Sequence, residues 1–277
     1  MAIDRDELDD LRRARALLEN PGLAAKFSSY LGSPLERGMK LLPAKMQKAI
    51  HASTETALKK ALEYAVKSLS KRGAGASSDK LHKLAAAASG AAGGAFGLPA
   101  LAIELPLSTT IMLRSIADIA VAEGEDLGDI DTQLSCLTVF ALGSDTASSD
   151  DAAESGYFAA RTALAEAVQE AMKHLAKKGL GKTGGPALVR LIALIGSRFG
   201  VSVSEKAAAQ MVPVLGAAGG ALINTLFIGH YQDMARGHFI VRRLERRHGE
   251  TAVREAYEAL ATGSSRAPAS ARPPARG

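Results

Sequence analysis

The chain has no tryptophan, a single cysteine and only 4% aromatic residues. One cysteine excludes an internal disulfide framework and a Cys-rich zinc site, and it fits a reducing compartment. Cys136 stands in the apolar run SCLTVFAL with no cation beside it. It is therefore expected to be a buried, inert thiol. Residues that favour strands are also scarce. In their place the chain has alanine at 53 positions and glycine at 27. Alanine is the strongest helix former, so the expected fold is all-α, a multi-helix bundle. A hydrophobic content of 47% over 277 residues excludes a disordered body and allows a sizeable core.

Charge of one sign is scarce except at the end of the chain. The formal net charge is +5, and Ser264–Gly277 alone carries three arginines and no acid. That Pro/Ala/Arg/Ser segment has nothing to bury and reads as a disordered basic tail over 263–277. The N-terminus, MAIDRDELDDLRRARALLEN, holds acids throughout and is not expected to be a signal peptide. Residues 1–34 read as a helical arm and 35–262 as the main helical domain.

Apolar residues recur at helical spacing. One helix is expected over Asp4–Glu19, ended by Asn20-Pro21, and another from Pro43 to about Ser70. Ser77-Ser78-Asp79 offers caps for the next. Pro99 and Pro106 are expected to interrupt the following apolar stretch, with a helix over Leu107–Val121. The acidic loop Glu123–Asp129 separates this from Thr132–Leu142. A long helix then ends near Lys177-Lys178-Gly179. Apolar helical stretches follow at about 187–198, 203–212 and 214–247, and a short helix at Glu250–Ala261.

The hexamer GAAGGA occurs at Gly90–Ala95 and again at Gly216–Ala221. Each copy lies in a long uncharged stretch, Leu84–Ile103 and Ala207–Gly229. Both stretches reach the roughly 20 residues that cross a bilayer core. Gly90/Gly94 and Gly216/Gly220 are spaced for close helix–helix approach. Two readings stand side by side: membrane-associated segments, or central helices buried in a soluble bundle. Alanine and glycine add little insertion energy, and Pro99 and Pro213 interrupt the stretches.

Ionisable residues inside apolar helices need partners. Glu104, Arg114, Asp118, His230, Asp233 and His238 could converge into one polar cluster for acid–base or metal chemistry. Arg114–Asp118 has the i, i+4 spacing of an ion pair. Yet His230 and His238 stand eight residues apart, ~12 Å along a helix. They could share a metal only across a break, which Gly237 could provide. The bland reading is that these residues form bonded pairs that fix packing. No HExxH is present, and GLGKTGG (Gly179–Gly185) fails the phosphate-loop pattern because Ala176 stands where its first glycine belongs. No cofactor is expected. Arg242, Arg243, Arg246 and Arg247 follow the apolar stretch directly and suit either a lipid headgroup layer or a solvated helix face. Sequence-specific nucleic-acid binding is not expected.

Three segments carry a resemblance: ELPLSTTIMLRSIADIAVAEGEDL (Glu104–Leu127), CLTVFALGS (Cys136–Ser144) and the long run from Arg198 to Gly249. Together they resemble the EcsC protein family of bacteria, over about residues 45–255, leaving out the first helix and the tail. The resemblance implies a helical, hydrophobic, membrane-associated protein. The family is named for a protein encoded beside ABC-transporter components, and it brings no catalytic residues with it. The expected role is an accessory or scaffold protein on the cytoplasmic side of the inner membrane, peripheral or partly inserted. Its expected partner is a membrane surface or membrane complex, and homo-oligomerisation is left open. The alternative is a soluble helical hydrolase or metal-binding enzyme using the polar cluster.

Overall fold

The computed structural model describes residues 3–19, 22–31, 43–69, 98–143, 156–180, 185–210 and 216–261. Among these residues it contains nine helices and no strand. They are α1 (Arg5–Leu18), α2 (Leu23–Leu31), α3 (Ala44–Ser68), α4 (Leu98–Ala122), α5 (Ile130–Leu142), α6 (Gly156–Lys178), α7 (Pro186–Gln210), α8 (Gly216–His248) and α9 (Glu250–Ala261). The all-α bundle expected from composition is what the chain forms.

Local chemistry sets the helix ends. Asp4 caps α1 by accepting from the Glu7 amide at 2.9 Å, and Glu7 accepts from the Asp4 amide at 3.1 Å, a reciprocal capping box. Gly179 and Gly249 follow α6 and α8 at φ of 60° and 86°, the left-handed conformation that ends helices at little cost in glycine.

Two helices run longer than the sequence pattern suggests. The pattern breaks at Pro106, yet this proline lies inside α4. Pro99 falls in the first turn of that helix, where a missing N–H costs nothing. Pro106 forfeits one ladder bond in mid-helix, and packing on α3 and α8 outweighs that loss. Likewise the stretches 187–198 and 203–212 form the single helix α7, because Gly200 is tolerated inside it. A mid-helix glycine costs only about 1 kcal/mol.

α8 is the axis of the molecule. It packs against α1, α2, α4, α5, α7 and α9. Its 33 residues span about 50 Å at ~1.5 Å per residue. Two side-chain contacts fix its direction relative to α4: Gln232 Nε2 donates to Ser115 Oγ at 2.8 Å, and Arg242 Nε to Glu125 Oε1 at 2.9 Å. Both pairs are 117 residues apart, and Glu125 lies in the turn just beyond the end of α4, so α4 runs parallel to α8. The scarce aromatics concentrate around the axis. Phe140, Phe199, Phe227 and Tyr231, from α5, α7 and α8, stack with ring centroids 4.9–6.1 Å apart. Cys136 is fully buried and its thiol is pushed far above its usual range by that burial, as an inert core residue should be.

The first glycine-rich stretch, with Gly90 and Gly94, lies outside the described residues up to its last turns, as do Ser77–Asp79, the tail and positions 181–184 of the GLGKTGG loop. The second stretch is not one helix: α7 ends at Gln210 and α8 begins at Gly216. Gly216 therefore opens α8, and Gly220 is buried a turn later. Among the described residues, the helices long and apolar enough to cross a membrane are Glu104–Ala122 within α4 and the whole of α7, about half buried in the bundle.

Candidate functional site

The six ionisable residues singled out in the sequence do not form one cluster. Arg114 is exposed to solvent and Asp118 is half-buried, so the two are not a buried pair at the centre of a cluster. Position 114 faces outward because α4 turns Leu113, Ser115 and Ile116 to its neighbours instead. Glu104 is buried and accepts from Lys206 Nζ of α7 at 2.7 Å. Asp233 lies 3.5 Å from Lys26 and 3.3 Å from Arg236. His230 Nε2–H donates to the Gly143 carbonyl at 2.6 Å. His238 receives Tyr157 at Nδ1, 2.9 Å away. No break separates the two histidines: Gly237 lies within continuous α8. It is there for contact, since a Cβ at that position would stand 2.5 Å from Leu18 Cγ of α1. Among the described residues no group of three His, Cys, Asp or Glu is placed to hold a metal ion.

Both histidines are neutral. Burial lowers the His230 pKa to about 4, and the nearby Lys26 charge adds to the effect against the opposing bond to Gly143. His238 is lowered well below its usual value, first by burial and then by the charges of Arg161 and Arg242.

Lys206, one residue before the uncharged stretch Ala207–Gly229, is the residue the sequence reading misses. Its side chain is fully buried, with Nζ 5.0 Å from the centre of the Phe227 ring. Burial pushes its pKa down while Glu104 holds it up. Its signal is present in the helical spacing Phe199, Val203, Lys206, which puts the lysine on the apolar face of α7.

The four arginines near the end of α8 pair with carboxylates of the fold, with Arg242 and Arg243 partly buried and Arg246 and Arg247 exposed. Arg242 binds Glu125 through two nitrogens and Asp131 at 2.7 Å. Arg243 pairs with Asp10 and with Glu123, Arg246 with Glu125, and Arg247 with Glu7 at 3.2 Å. Glu125 is therefore held below its usual pKa despite its burial. Around the axis a second network forms. Arg161 of α6 binds Glu245 at 2.6 and 3.0 Å and donates to Tyr157 at 3.3 Å. His238, Arg242 and Arg161 line one half-open cavity of about 230 Å³ between α5, α6, α8 and α9.

The molecule is thus polarised along its axis. At one end, α4 begins, α7 ends and α8 begins around the Glu104–Lys206 pair, and residues 216–229 of α8 carry no charge. At the other, arginines and carboxylates interlock. Three large apolar side chains are exposed among the described residues: Leu107 (54%), Val189 (51%) and Leu222 (38%). Leu107 and Leu222 both belong to the end that holds the Glu104–Lys206 pair.

The EcsC protein family model matches residues 5–244, and the chain belongs to that family. The match takes in α1, which the sequence resemblance leaves out, in keeping with the packing of α1 on α8. No curated protein and no solved structure matches the chain.

Proposed function

We propose that this chain is an accessory or scaffold protein on the cytoplasmic side of a bacterial membrane, docked through the end of its bundle where α8 begins in an uncharged, glycine-rich segment. The observation that carries the reading is the exposure of Leu107 and Leu222 at that end, on parallel helices. Exposed large apolar side chains beside the uncharged segment 216–229 of α8 suit a lipid surface or the apolar flank of a membrane complex. The arginines of α8 pair with carboxylates about 30–36 Å from Leu222 along the axis. In this reading they face the cytoplasm and take no part in lipid binding. A link to an ABC transporter or envelope process follows from the family's namesake and is part of the proposal.

Fractionation of bacteria expressing the chain tests it. The protein should sediment with membranes, resist high salt, and be released by detergent. The double variant Leu107→Glu/Leu222→Glu, at exposed sites that the core does not use, should fold normally and move to the soluble fraction. Recovery of the unaltered chain wholly in the low-salt supernatant would overturn the reading.

A further inference from the structure

Each of the four arginines near the end of α8 has a carboxylate partner, so uncompensated positive surface lies elsewhere. Among the described residues two groups of exposed lysines have no ion-pair partner. They are Lys45, Lys48 and Lys60 on α3, and Lys173, Lys177 and Lys178 at the end of α6. The other lysines of α3, Lys59 and Lys67, pair with Glu55 and Glu63 of the same helix at 3.8 and 3.7 Å. Those two glutamates are the only acids in α3, against its five lysines. The outer face of α3 therefore carries a formal excess of positive charge, while Met46, Ile50, Leu58 and Leu62 face inward.

The two groups differ in placement. Lysines in the last turn of a helix complement its dipole, which accounts for Lys177 and Lys178. Lys45 and Lys48 stand at the start of α3, where the first turn holds no acid and no side chain caps it. Positive charge at that end of a helix costs stability unless an anion lies over it. α3 also packs on α4 and α7, the two helices tied by the Glu104–Lys206 pair. A Cβ at Gly196 of α7 would stand 3.5 Å from Leu58 Cδ1. Gly196 is ten residues before Lys206, about 15 Å by helical rise. α3 extends 14 residues to one side of Leu58 and ten to the other, about 15–21 Å. Each half is long enough to reach the level of the pair, and each carries an unpaired lysine. The α6 group stands instead where His174 lies against Gly185. Gly185 is 21 residues from Lys206, about 31 Å along α7.

We propose that the outer face of α3 rests on anionic phospholipid headgroups beside the docking end. This deepens the membrane reading and depends on it: the exposed leucines hold the bundle at the bilayer, and the lysines select its charge. A lysine suits that place because its stem reaches along apolar surface while the ammonium stays among the phosphates. At an anionic leaflet each such lysine is worth roughly fivefold in affinity.

Co-sedimentation of the full chain with vesicles tests the proposal, using phosphatidylcholine alone and phosphatidylcholine mixed with phosphatidylglycerol. Binding to the mixed vesicles should be at least about fivefold tighter, and high salt should reduce it to the level of the neutral vesicles. Lys45→Gln/Lys48→Gln/Lys60→Gln should keep the melting temperature and the binding to neutral vesicles, and lose the preference. Lys173→Gln/Lys177→Gln/Lys178→Gln removes the same charge far from the docking end and should keep the preference. Equal binding of the unaltered chain to both vesicles overturns the role of α3 and leaves the docking reading standing, whereas binding to neither overturns both. The role of α3 also fails if its folded triple variant keeps the preference, or if the α6 variant loses it as fully. Binding of a single-stranded RNA as tight as that of the mixed vesicles, and lost with the same α3 lysines, would give the face to nucleic acid instead.

Discussion

At the scale of single residues, neutral buried imidazoles make the fold sensitive to mild acid. An unfolded histidine titrates near 6.5, whereas His230 in the fold titrates at about 4. Between those values the unfolded chain binds a proton that the folded chain refuses. Stability therefore falls as pH drops through that window, by on the order of 3 kcal/mol for His230, and His238 acts in the same direction. Glu7 acts in a lower window: His248, Asp4 and Arg247 hold it at about 2, so its contribution is lost as pH falls from 4.5 toward that value. Urea midpoints at pH 7.5 and 5.0 check the histidine term. The midpoint should drop at pH 5.0 with an unchanged slope, and His230→Gln should reduce the drop. Glycines supply a second contrast at this scale. Gly237→Ala drives a methyl into Leu18 and the Ala14 carbonyl and should cost about 1–3 kcal/mol. At Gly200, inside α7, an added methyl would meet nothing within 4 Å. Gly200→Ala should therefore raise stability by about 0.4–1 kcal/mol. Thermal melts of the two variants should move in opposite directions.

At the scale of elements, the buried Glu104–Lys206 pair ties α4 to α7. Removing one partner leaves a charge in the core, so Glu104→Gln should destabilise by about 3–5 kcal/mol. Replacing both, as in Glu104→Leu/Lys206→Met, should recover most of that loss, because an apolar pair avoids the desolvation of two ions. A double-mutant cycle by urea denaturation measures the coupling. The pair also shows what the sequence can and cannot convey about elements. Period and capping place α1, α3, α5 and α9 nearly to the residue, since each is bounded by a cap, a proline or a glycine. The same pattern cuts α4 and α7 short because Pro106 and Gly200 are helix breakers by propensity alone, and tertiary packing overrides them. Glu104 stands out in the sequence as an unusual charge, but its partner is 102 residues away, and no local pattern reports that distance. Arg114 goes astray for a related reason: an i, i+4 carboxylate makes a pair conceivable, but only the placement of neighbouring helices decides which face is buried. The cavity is less legible still. His238 and Arg242 both stand out in the sequence, but for separate roles, and the Arg161–Tyr157 relay that orients His238 comes from another helix.

At the scale of the whole molecule, the axial separation of charge constrains how the chain can meet a membrane. Positions 222 and 247 of α8 are 25 residues apart on one continuous helix, about 38 Å by helical rise. That exceeds the ~30 Å of a whole hydrocarbon core. The two positions cannot both lie in one interfacial layer when the bundle docks by the end that carries Leu107 and Leu222. Cys136 is fully buried, so a thiol introduced at the surface is the one that reacts. Leu222→Cys and Arg247→Cys, each labelled with an environment-sensitive dye, turn the geometry into a measurement. On adding vesicles of phosphatidylethanolamine and phosphatidylglycerol, the dye at 222 should shift to the blue, and the dye at 247 should stay at its aqueous wavelength. Raising the salt concentration should leave the shift at 222 in place, because apolar contact rather than the paired arginines holds the protein there. A shift at 247 alone, abolished by salt, would reverse the orientation and return the headgroup role to the arginines of α8. Equal shifts at both positions would mean that the bundle lies flat on the bilayer, and end-on docking would then be wrong.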